Sequence, residues 1–371
     1  MPDRLVRTLG VAGSGRPAFF EVGETPPQDG EFWVQTWYSG LSAGTELSFI
    51  KGTNPFFRHR WDRDLRLFCD GVPAQHYPVP CLGYMEVGQV TDSRTAVVAE
   101  GTTVAMAFGH RTGFRADPSR DHHVVLPDGL DPLLGIYLAQ MGPICANGLL
   151  HAAAEVVGEV RTLSDGVAGR HVLITGAGVV GLLTGLFAAH YGAAHVAVAD
   201  STEKRLHAAH ALGLEPIDDN EHDPAVWCKQ RWRHGPGDRG ADVAFQCRGR
   251  AGALRTALRA LRPQGAVIDL AFYQNGASEV CLGEEFHHNG LAIRCAQIAR
   301  VPRTLVGSWT QSALSEQTLV LLQTRGTDIQ QHLITDMVPF AEAPDFLADL
   351  ATRRRQTLQA VFTFPGQAAP A

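Results

Sequence analysis

The stretch HVLITGAGVVG, residues 171–181, decides the fold of this 371-residue chain. Its first five residues predict a buried strand, and the residues from 176 to 191 predict a helix that follows at once. Three glycines stand at the junction in a Gly-x-Gly-x-x-Gly pattern. The first permits a tight turn, the second lets backbone approach a pyrophosphate, and the third lets the helix pack closely while its N-terminus faces the phosphates. The residues predicted to hold a dinucleotide are Gly176, Gly178, Val179, Val180 and Gly181.

Strands and helices continue to alternate after this stretch. Short apolar runs separated by helical segments predict βαβ units, and such units imply a parallel sheet covered by helices on both faces. We therefore predict an α/β fold with a doubly wound parallel sheet. The predicted strands are 195–199, 242–247 and 266–270, and the predicted helices are 201–212, 223–234 and 251–261.

Asp200 ends the second strand of this region. An acidic residue at that place accepts hydrogen bonds from the adenosine ribose and repels a 2′-phosphate, so it favours NAD over NADP. NADP is the alternative, because Ser201, Lys204 and Arg205 follow and a serine with nearby cations can hold a phosphate. We assign Asp200, Lys204 and Arg205 to the cofactor site, together with Cys247 at the end of a later strand.

The composition places the chain among globular proteins of about two domains. It is 45% hydrophobic and 19% charged, with 32 Lys and Arg against 38 Asp and Glu, a net charge of −6. A mildly acidic chain lacks the charge pattern of a nucleic-acid or lipid-surface binder.

The longest apolar run, 179–189, is well short of the roughly 20 residues that span a bilayer. Residues 1–20 show no basic segment followed by an apolar run, so we expect a cytoplasmic protein with a small-molecule substrate.

Seven cysteines are scattered along the chain without a Cys-x-x-Cys spacing. An odd and dispersed set argues against a disulfide framework and against a clustered structural metal. We expect reduced, mostly buried thiols.

The N-terminal half is predicted to be β-rich, with runs at 32–38, 86–90 and 103–106. Between them, residues 51–79 are aromatic and rich in arginine, and long segments of this kind are often functional. Our hypothesis is that part of this segment forms a substrate-pocket wall from aromatic faces and guanidinium groups. The alternative is a solvated loop. The residues of this hypothesis are Phe56, Phe57, Arg58 and Trp61.

Several motifs resemble the medium-chain dehydrogenase/reductase superfamily, the family of zinc alcohol and polyol dehydrogenases. The resemblance implies a discontinuous GroES-like catalytic domain, residues 1–147 and 301–371, around a Rossmann domain of residues 148–300, with the active site in the cleft between them. It also implies a homodimer or homotetramer formed through edge strands of the Rossmann sheet. The motifs are 39–47 (SGLSAGTEL), 83–88 (GYMEVG), 240–243 (GADV), 261–265 (LRPQG), 286–289 (FHHN), 333–335 (LIT) and 339–344 (PFAEAP).

The chain departs from the family at the positions that hold zinc. Where zinc members have Cys, Gly-His-Glu and a ligand before proline, this chain has Ala43, Tyr84 with Met85, and Gly142. Zinc needs thiolate, imidazole or carboxylate ligands, and none of these side chains supplies one. The four-cysteine zinc lobe of the family is also missing. We therefore predict neither a catalytic nor a structural zinc.

Without zinc, hydrogen-bond donors and a proton acceptor must stabilise the reacting oxygen. The resemblance places Thr45 near the substrate oxygen, and Tyr84 replaces a lost ligand. Glu46 is a candidate base, although its family counterpart usually lies behind the reacting groups. The alternatives are a turn role for Thr45 and a packing role for Tyr84. Among the sixteen histidines, His59, His110, His122 and His123 lie in the catalytic half, and none is assigned a role.

The predicted function is a zinc-independent, NAD-dependent dehydrogenase that interconverts a secondary alcohol and a ketone on a biosynthetic metabolite. The Ser-Ala-Gly-Thr-Glu and Gly-Tyr motifs are similar to those of the bacteriochlorophyllide 3-hydroxyethyl dehydrogenase branch. One alternative is a zinc-free, NADPH-dependent reductase of activated C=C bonds or quinones. Another is a non-catalytic dinucleotide-binding protein, since the glycine motif indicates binding and not turnover.

Overall fold

The computed structural model describes residues 4–274, 276–297 and 300–365. The strands are, in chain order, β1 (Arg4–Gly13), β2 (Arg16–Glu24), β3 (Phe32–Gly40), β4 (His59–Asp62), β5 (Leu67–Asp70), β6 (Glu86–Ser93), β7 (Thr103–Met106), β8 (Gly113–Ala116), β9 (Val124–Val125), β10 (His171–Thr175), β11 (His195–Asp200), β12 (Glu215–Asp218), β13 (Arg233–Gly235), β14 (Asp238–Arg239), β15 (Ala241–Gln246), β16 (Leu261–Asp269), β17 (Ala292–Cys295), β18 (Ile334–Pro339) and β19 (Gln359–Thr363). The α-helices are α1 (Ala43–Ile50), α2 (Met141–Val156), α3 (Val179–His190), α4 (Glu203–Ala211), α5 (Pro224–Arg231), α6 (Ala251–Ala260), α7 (Gln311–His332) and α8 (Ala343–Ala351).

The described residues form two compact units. The first comprises those of Met1–Gln140 and Ile334–Ala371, and the second those of Met141–Leu333. The predicted domain boundaries, 147/148 and 300/301, therefore differ from the divisions between the units. The second division lies later because α7 packs against α2 and α3 and so belongs with the parallel sheet.

The second unit is built on a six-stranded parallel sheet in the order β12-β11-β10-β15-β16-β17. Strand β10 is the first strand of this sheet in the sequence and pairs with both β11 and β15. The chain adds β11 and β12 on one side of β10 and then β15, β16 and β17 on the other. The predicted α/β fold with a doubly wound parallel sheet is thus confirmed. Helix α3 is apolar on all sides and buried from Gly181 to Ala188, because it packs against the sheet and against α2.

The first unit is β-rich, as the sequence predicts. Its main sheet runs β18-β19-β3-β6-β7-β9, with β8 pairing to β3, and β1–β2 and β4–β5 form separate antiparallel hairpins. Apolar side chains of β1, β19, α1 and α8 form one core, and those of β3, β6 and β7 form another. The strands bring the two N-terminal family motifs together, because the end of β3 pairs with the start of β6. No helix in the described ranges is long and apolar enough to cross a membrane.

Candidate functional site

The glycine loop between β10 and α3 has the geometry that its sequence predicts. Gly176 has φ +103°, a left-handed conformation that L side chains rarely adopt. A Cβ on Gly181 would lie 1.8 Å from the carbonyl oxygen of Gly176, so only glycine permits this packing. A Cβ on Gly178, by contrast, would meet no atom within 4 Å. Gly178 is the N-cap of α3, and Val179 and Val180 begin the helix, so open space lies at a helix N-terminus where phosphates bind favourably.

Asp200 lies at the carboxyl end of β11, fully buried beside this loop. Its Oδ2 accepts a hydrogen bond from the Ala177 amide and its Oδ1 one from the Thr202 amide, both at 2.9 Å. Arg205 Nη1 lies 3.6 Å from the same carboxylate. Burial alone would raise the pKa of Asp200, but Arg205 and the two hydrogen bonds hold it below its usual value. Asp200 is therefore an anion that ties the glycine loop to the next βα turn.

An arginine that was not predicted also belongs to this region. Arg248 follows β15, and its Cβ would be 2.8 Å from a Cβ on Gly176. Its guanidinium lies 3.2 Å from Ser201 Oγ and 3.2 Å from Asp219 Oδ2. The structure thus places Arg205 and Arg248 around Asp200, whereas Lys204 is on the exposed side of α4.

Cys247, predicted as a cofactor-site residue, lies at the carboxyl edge of the sheet, where its amide donates to the Thr175 carbonyl at 2.9 Å. Desolvation raises the pKa of its thiol well above the usual value, so the thiol is neutral. The neighbouring strand ends carry a polar chain in which Tyr273 donates to Asp269 at 2.9 Å and Gln246 donates to the Tyr273 hydroxyl at 3.1 Å. These residues fix the loop after β16 to the edge where a dinucleotide would lie.

The first unit contains the predicted catalytic residues. Thr45 is half-buried on α1, and its carbonyl accepts a hydrogen bond from Ser48 Oγ at 2.5 Å. Tyr84 is half-buried in the turn before β6, and its hydroxyl is hydrogen-bonded to Ser42 Oγ. Ser42 is the N-cap residue of α1. The structure therefore links Tyr84 to the start of the helix that carries Thr45.

Glu46, the predicted base, is buried and engaged at both oxygens. Oε1 accepts the Ser42 amide at 2.7 Å, and Oε2 lies 2.7 Å from His110 Nε2. The other ring nitrogen of His110, Nδ1, is hydrogen-bonded to Ser39 Oγ, which lies 3.5 Å from Glu86 Oε1. Ser39, His110 and Glu86 have no exposed surface, and Glu46 is 2% exposed. Although serine, histidine and glutamate also form hydrolytic triads, this serine is inaccessible to a substrate.

The buried charges shift one another's pKa values. Burial alone would lower the pKa of His110, but the charges of Glu46 and Glu86 and the hydrogen bond to Glu46 raise it above its usual value. Burial raises the pKa of Glu86 from 4.5 to about 7, although His110 and backbone amides lower it. The raised pKa of His110 favours its imidazolium form, and Glu86 titrates near neutral pH.

The proposed pocket-wall residues have different surroundings. Phe57 packs between Phe49 and Tyr77, with ring centroids 6.0 and 4.7 Å away, and so belongs to a core cluster. Phe56 and Trp61 instead pack against Phe68, an exposed residue of the β4–β5 hairpin, at 6.1 and 5.0 Å. Arg58 is exposed. The structure brings Phe56 and Trp61 together around Phe68 and places Phe57 in a separate core cluster.

The residues at the family's ligand positions do not fit a zinc ion. Ala43 has only a methyl group, and Met85 is fully buried, with its side chain packed against Gly40. The Tyr84 hydroxyl is bonded to Ser42. Zinc sites in proteins use thiolate, imidazole or carboxylate ligands, and none is present at these positions. Across the described ranges, no group of three or more His, Cys, Asp or Glu side chains is arranged to hold a metal ion.

Four residues of the buried network, Ser39, Ser42, Glu86 and His110, were not predicted as site residues. His110 lies 64 residues from Glu46 and 71 from Ser39 in the sequence, so no local spacing indicates the contact. The available signal was Glu86, a glutamate at the start of a predicted strand and two residues after Tyr84. A carboxylate in a buried strand requires a partner.

Comparison with known families places these features in context. Residues 179–323 match the family model described as zinc-binding dehydrogenase. This partial match agrees with the resemblance to the medium-chain dehydrogenases that the motifs carry. The matched segment begins after the positions of Ala43 and Tyr84, so the match does not concern the metal-ligand positions.

Solved structures share the fold over nearly the whole chain. A 2R,3R-butanediol dehydrogenase from Bacillus subtilis matches with a TM-score of 0.71 and 16% identity, covering 96% of this chain and 99% of that one. A zinc-binding dehydrogenase from Sinorhizobium meliloti, bound to NADP, matches with a TM-score of 0.72 and 18% identity, covering 97% and 99%. At such identities the likeness concerns the fold, which is that of the alcohol dehydrogenases.

Curated relatives match over shorter segments. D-guloside 3-dehydrogenase from Escherichia coli is 28% identical over 167 residues, 40% of this chain and 45% of the relative. D-xylulose reductase from Saccharomyces cerevisiae is 30% identical over 107 residues, 29% of this chain and 30% of the relative. The chain thus spans less than half the length of these curated relatives. The comparisons therefore show similarity in sequence segments and in fold to proteins named as alcohol and polyol dehydrogenases.

Proposed function

We propose that the protein is a zinc-independent, NAD-dependent dehydrogenase that interconverts a secondary alcohol and a ketone on a biosynthetic metabolite. The observation that carries the proposal is the Tyr84–Ser42 hydroxyl pair, which stands where zinc members of the family hold a metal ligand. The relatives named D-xylulose reductase and D-guloside 3-dehydrogenase support alcohol dehydrogenase chemistry.

The second unit has residues that fit a dinucleotide. The open space at Gly178 and the N-terminus of α3 suit the pyrophosphate, and the Asp200 carboxylate suits the adenosine ribose hydroxyls. When bound, the nicotinamide supplies the acceptor or donor of a hydride. Cys247, a neutral thiol at the same sheet edge, supplies packing without a charge. Because Asp200 is buried as an anion, we propose NAD rather than NADP as the cofactor.

In the first unit, hydroxyl groups take the role of stabilising the reacting oxygen. The Thr45 and Tyr84 hydroxyls are the proposed hydrogen-bond donors to the substrate oxygen, and they stabilise the negative charge that this oxygen carries during hydride transfer. The Tyr84 hydroxyl is hydrogen-bonded to Ser42 Oγ, and this contact holds the tyrosine oxygen in place. Glu46 is proposed to support this pair from behind, because both of its oxygens are already engaged by Ser42 and His110.

Phe56, Arg58 and Trp61 are proposed to line part of the substrate pocket. The aromatic contacts of Phe56 and Trp61 on the β4–β5 hairpin support this role, whereas the core packing of Phe57 favours a structural one. An Arg58→Ala variant tests the idea through the Michaelis constant for the alcohol. An unchanged constant would remove Arg58 from the pocket.

The second candidate function is a zinc-free, NADPH-dependent reductase of activated C=C bonds or quinones. The observation that favours it is the position of Arg248, whose guanidinium lies 3.2 Å from Ser201 Oγ beside Asp200. With Arg205, this arginine offers cations to a 2′-phosphate. A third reading, dinucleotide binding without turnover, predicts no reaction with any substrate.

One set of measurements distinguishes these functions. Binding of NADH and NADPH to the purified chain is measured first, and then NAD-dependent oxidation of a panel of secondary alcohols. Thr45→Val and Tyr84→Phe are expected to lower kcat by about 10²-fold or more. Full activity in both variants would contradict the proposed roles, and a tenfold preference for NADPH, about 1.4 kcal/mol, would favour the reductase.

We also propose a homodimer or homotetramer that forms through an edge of the parallel sheet. Strand β17 is the last strand of that sheet, and Ile293 on it is 39% exposed. An unpaired strand edge is a natural site for pairing with a second copy. Sedimentation equilibrium of the wild-type chain tests the proposal, and a monomer at micromolar concentration would contradict it.

A further inference from the structure

We propose that His110 is a positioning residue that fixes Tyr84 through Glu46 and Ser42. The inference rests on the proposed function in so far as Tyr84 is given a role in the reaction. It deepens that function by assigning the buried ionic cluster, defined here as Ser39, Glu46, Glu86 and His110, to the orientation of a hydroxyl group outside it.

The cluster joins four separate chain segments. Ser39 ends β3, Glu46 lies on α1, Glu86 begins β6, and His110 lies in the loop after β7. An imidazolium donates from both ring nitrogens. Nε2–H then donates to Glu46, Nδ1–H donates to Ser39 Oγ, and the Ser39 hydroxyl donates to Glu86. Every polar hydrogen of the ring is therefore used, and one orientation of the ring satisfies all partners.

Two hydrogen bonds connect the His110–Glu46 pair to the Tyr84 hydroxyl. Glu46 Oε1 accepts the Ser42 amide at 2.7 Å, which fixes the N-terminal residue of α1, and Ser42 Oγ is bonded to the Tyr84 hydroxyl. In addition, Gly83 has φ +95°, and a Cβ at Gly83 would lie 2.8 Å from the His110 ring. The ring thus packs directly against the backbone that precedes Tyr84.

Burial of the cluster leaves its side chains no alternative hydrogen-bond partners. His110, Glu86 and Ser39 have no exposed surface, so water cannot replace a missing partner. The edge of the His110 ring also packs against Phe362, with centroids 4.9 Å apart and rings at 90°. A buried charge cluster whose hydrogen bonds are all formed has one geometry. The position of the Tyr84 hydroxyl, which depends on this cluster, is therefore fixed as well.

The test uses the full chain labelled with 3-fluorotyrosine and ¹⁹F NMR. Tyr84→Phe assigns the Tyr84 resonance, and Tyr77, whose hydroxyl donates to the Phe49 carbonyl at 2.6 Å, is an internal reference. His110→Gln and Ser42→Ala are each expected to shift or broaden the Tyr84 resonance and to leave the Tyr77 resonance unchanged. The matched control is His123→Gln, because His123 lies in the same unit and its Nδ1 faces the Asp121 carbonyl instead.

A Tyr84 resonance that is unchanged in His110→Gln would overturn the inference. Where His110→Gln does not fold, Ser39→Ala takes its place, because it frees Nδ1 and removes no charge. An unchanged Tyr84 resonance in that variant would overturn the inference in the same way.

Turnover gives an independent test by a double-mutant cycle. His110→Gln is expected to lower kcat about a hundredfold and to have little further effect in the Tyr84→Phe background, because it acts through Tyr84. Fully additive losses would overturn the inference. If Tyr84→Phe retains full kcat while the ¹⁹F coupling is present, the proposed function of Tyr84 fails and the positioning by His110 stands.

Discussion

The Nε2 atom of His110 lies 2.7 Å from Oε2 of Glu46, and both side chains are buried. Removing one partner of a buried ion pair leaves the other charge uncompensated, which typically costs about 3–5 kcal/mol. We therefore expect Glu46→Gln to lower the free energy of unfolding by about that amount, measured by urea denaturation. The control is Glu21→Gln, an exposed glutamate paired with Arg7, which is expected to cost less than about 1 kcal/mol. Equal effects of the two variants would contradict the buried pair.

A pH dependence follows from Glu86. Its pKa is about 7 in the folded chain, above the ordinary value of 4.5, so the folded state binds a proton that the unfolded state releases. Protonation of Glu86 therefore stabilises the folded chain fully below about pH 4.5, and this contribution is lost as the pH rises through about 7. Over that range the free energy of unfolding falls by at most about 1.4 kcal/mol per pH unit.

The measurement compares wild type with Glu86→Gln across this pH range. The difference in their unfolding free energies is expected to change with pH in the stated direction. His110 and Cys81 interact electrostatically with Glu86, and Glu46 and Arg111 interact with these two in turn; all four are present in both proteins. A difference that does not change with pH would show that Glu86 has an ordinary pKa.

Two glycines in one loop are expected to respond differently to the same change. Gly181→Ala places a Cβ 1.8 Å from the Gly176 oxygen, so the loop must move, and both stability and dinucleotide binding should fall. Gly178→Ala meets no atom, so stability should be kept within about 1 kcal/mol, the usual helix-glycine effect. Its NADH affinity should still fall, by roughly tenfold or more, because the methyl group faces the pyrophosphate. Unchanged NADH binding in Gly178→Ala would place the cofactor elsewhere.

Asp200 is expected to set the choice between the two dinucleotides. Asp200→Asn removes the negative charge, although its NH2 group can replace only one oxygen at the loss of one backbone hydrogen bond. The ratio of NADPH to NADH affinity should rise by roughly tenfold or more, because the charge no longer repels a 2′-phosphate. The control is Asp218→Asn at the end of the neighbouring strand β12, where the carboxylate accepts the Asn220 amide at 2.8 Å. Isothermal titration with each cofactor gives the ratios. Equal ratios in wild type and Asp200→Asn would contradict the role of the charge.

The sequence predicts the central part of the parallel sheet because each signal is local. The glycine loop, the buried strand before it and the acidic residue at the end of β11 occur within 30 residues of one another. The edge strands β12 and β17 were not predicted, because they have four residues each and are defined mainly by pairing with β11 and β16. Short strands with a proline or an arginine lack a periodicity of their own.

The site divides in the same way. Thr45, Glu46 and Tyr84 follow from motifs, whereas His110 depends on contacts across more than 60 residues. A histidine in a polar loop sequence gives no sign that it is fully buried until the strands are assembled. Arg248 escaped prediction for the same reason, since its partners Ser201 and Asp219 come from other strand ends.

The most direct test of the central claim, that the chemistry proceeds without zinc, is the metal content of the purified chain together with NAD-dependent alcohol oxidation before and after chelation. Ala43, Tyr84 and Met85 supply no zinc ligand, so zinc should be far below stoichiometric and chelation should leave turnover unchanged. Stoichiometric zinc whose removal abolishes turnover would contradict the account.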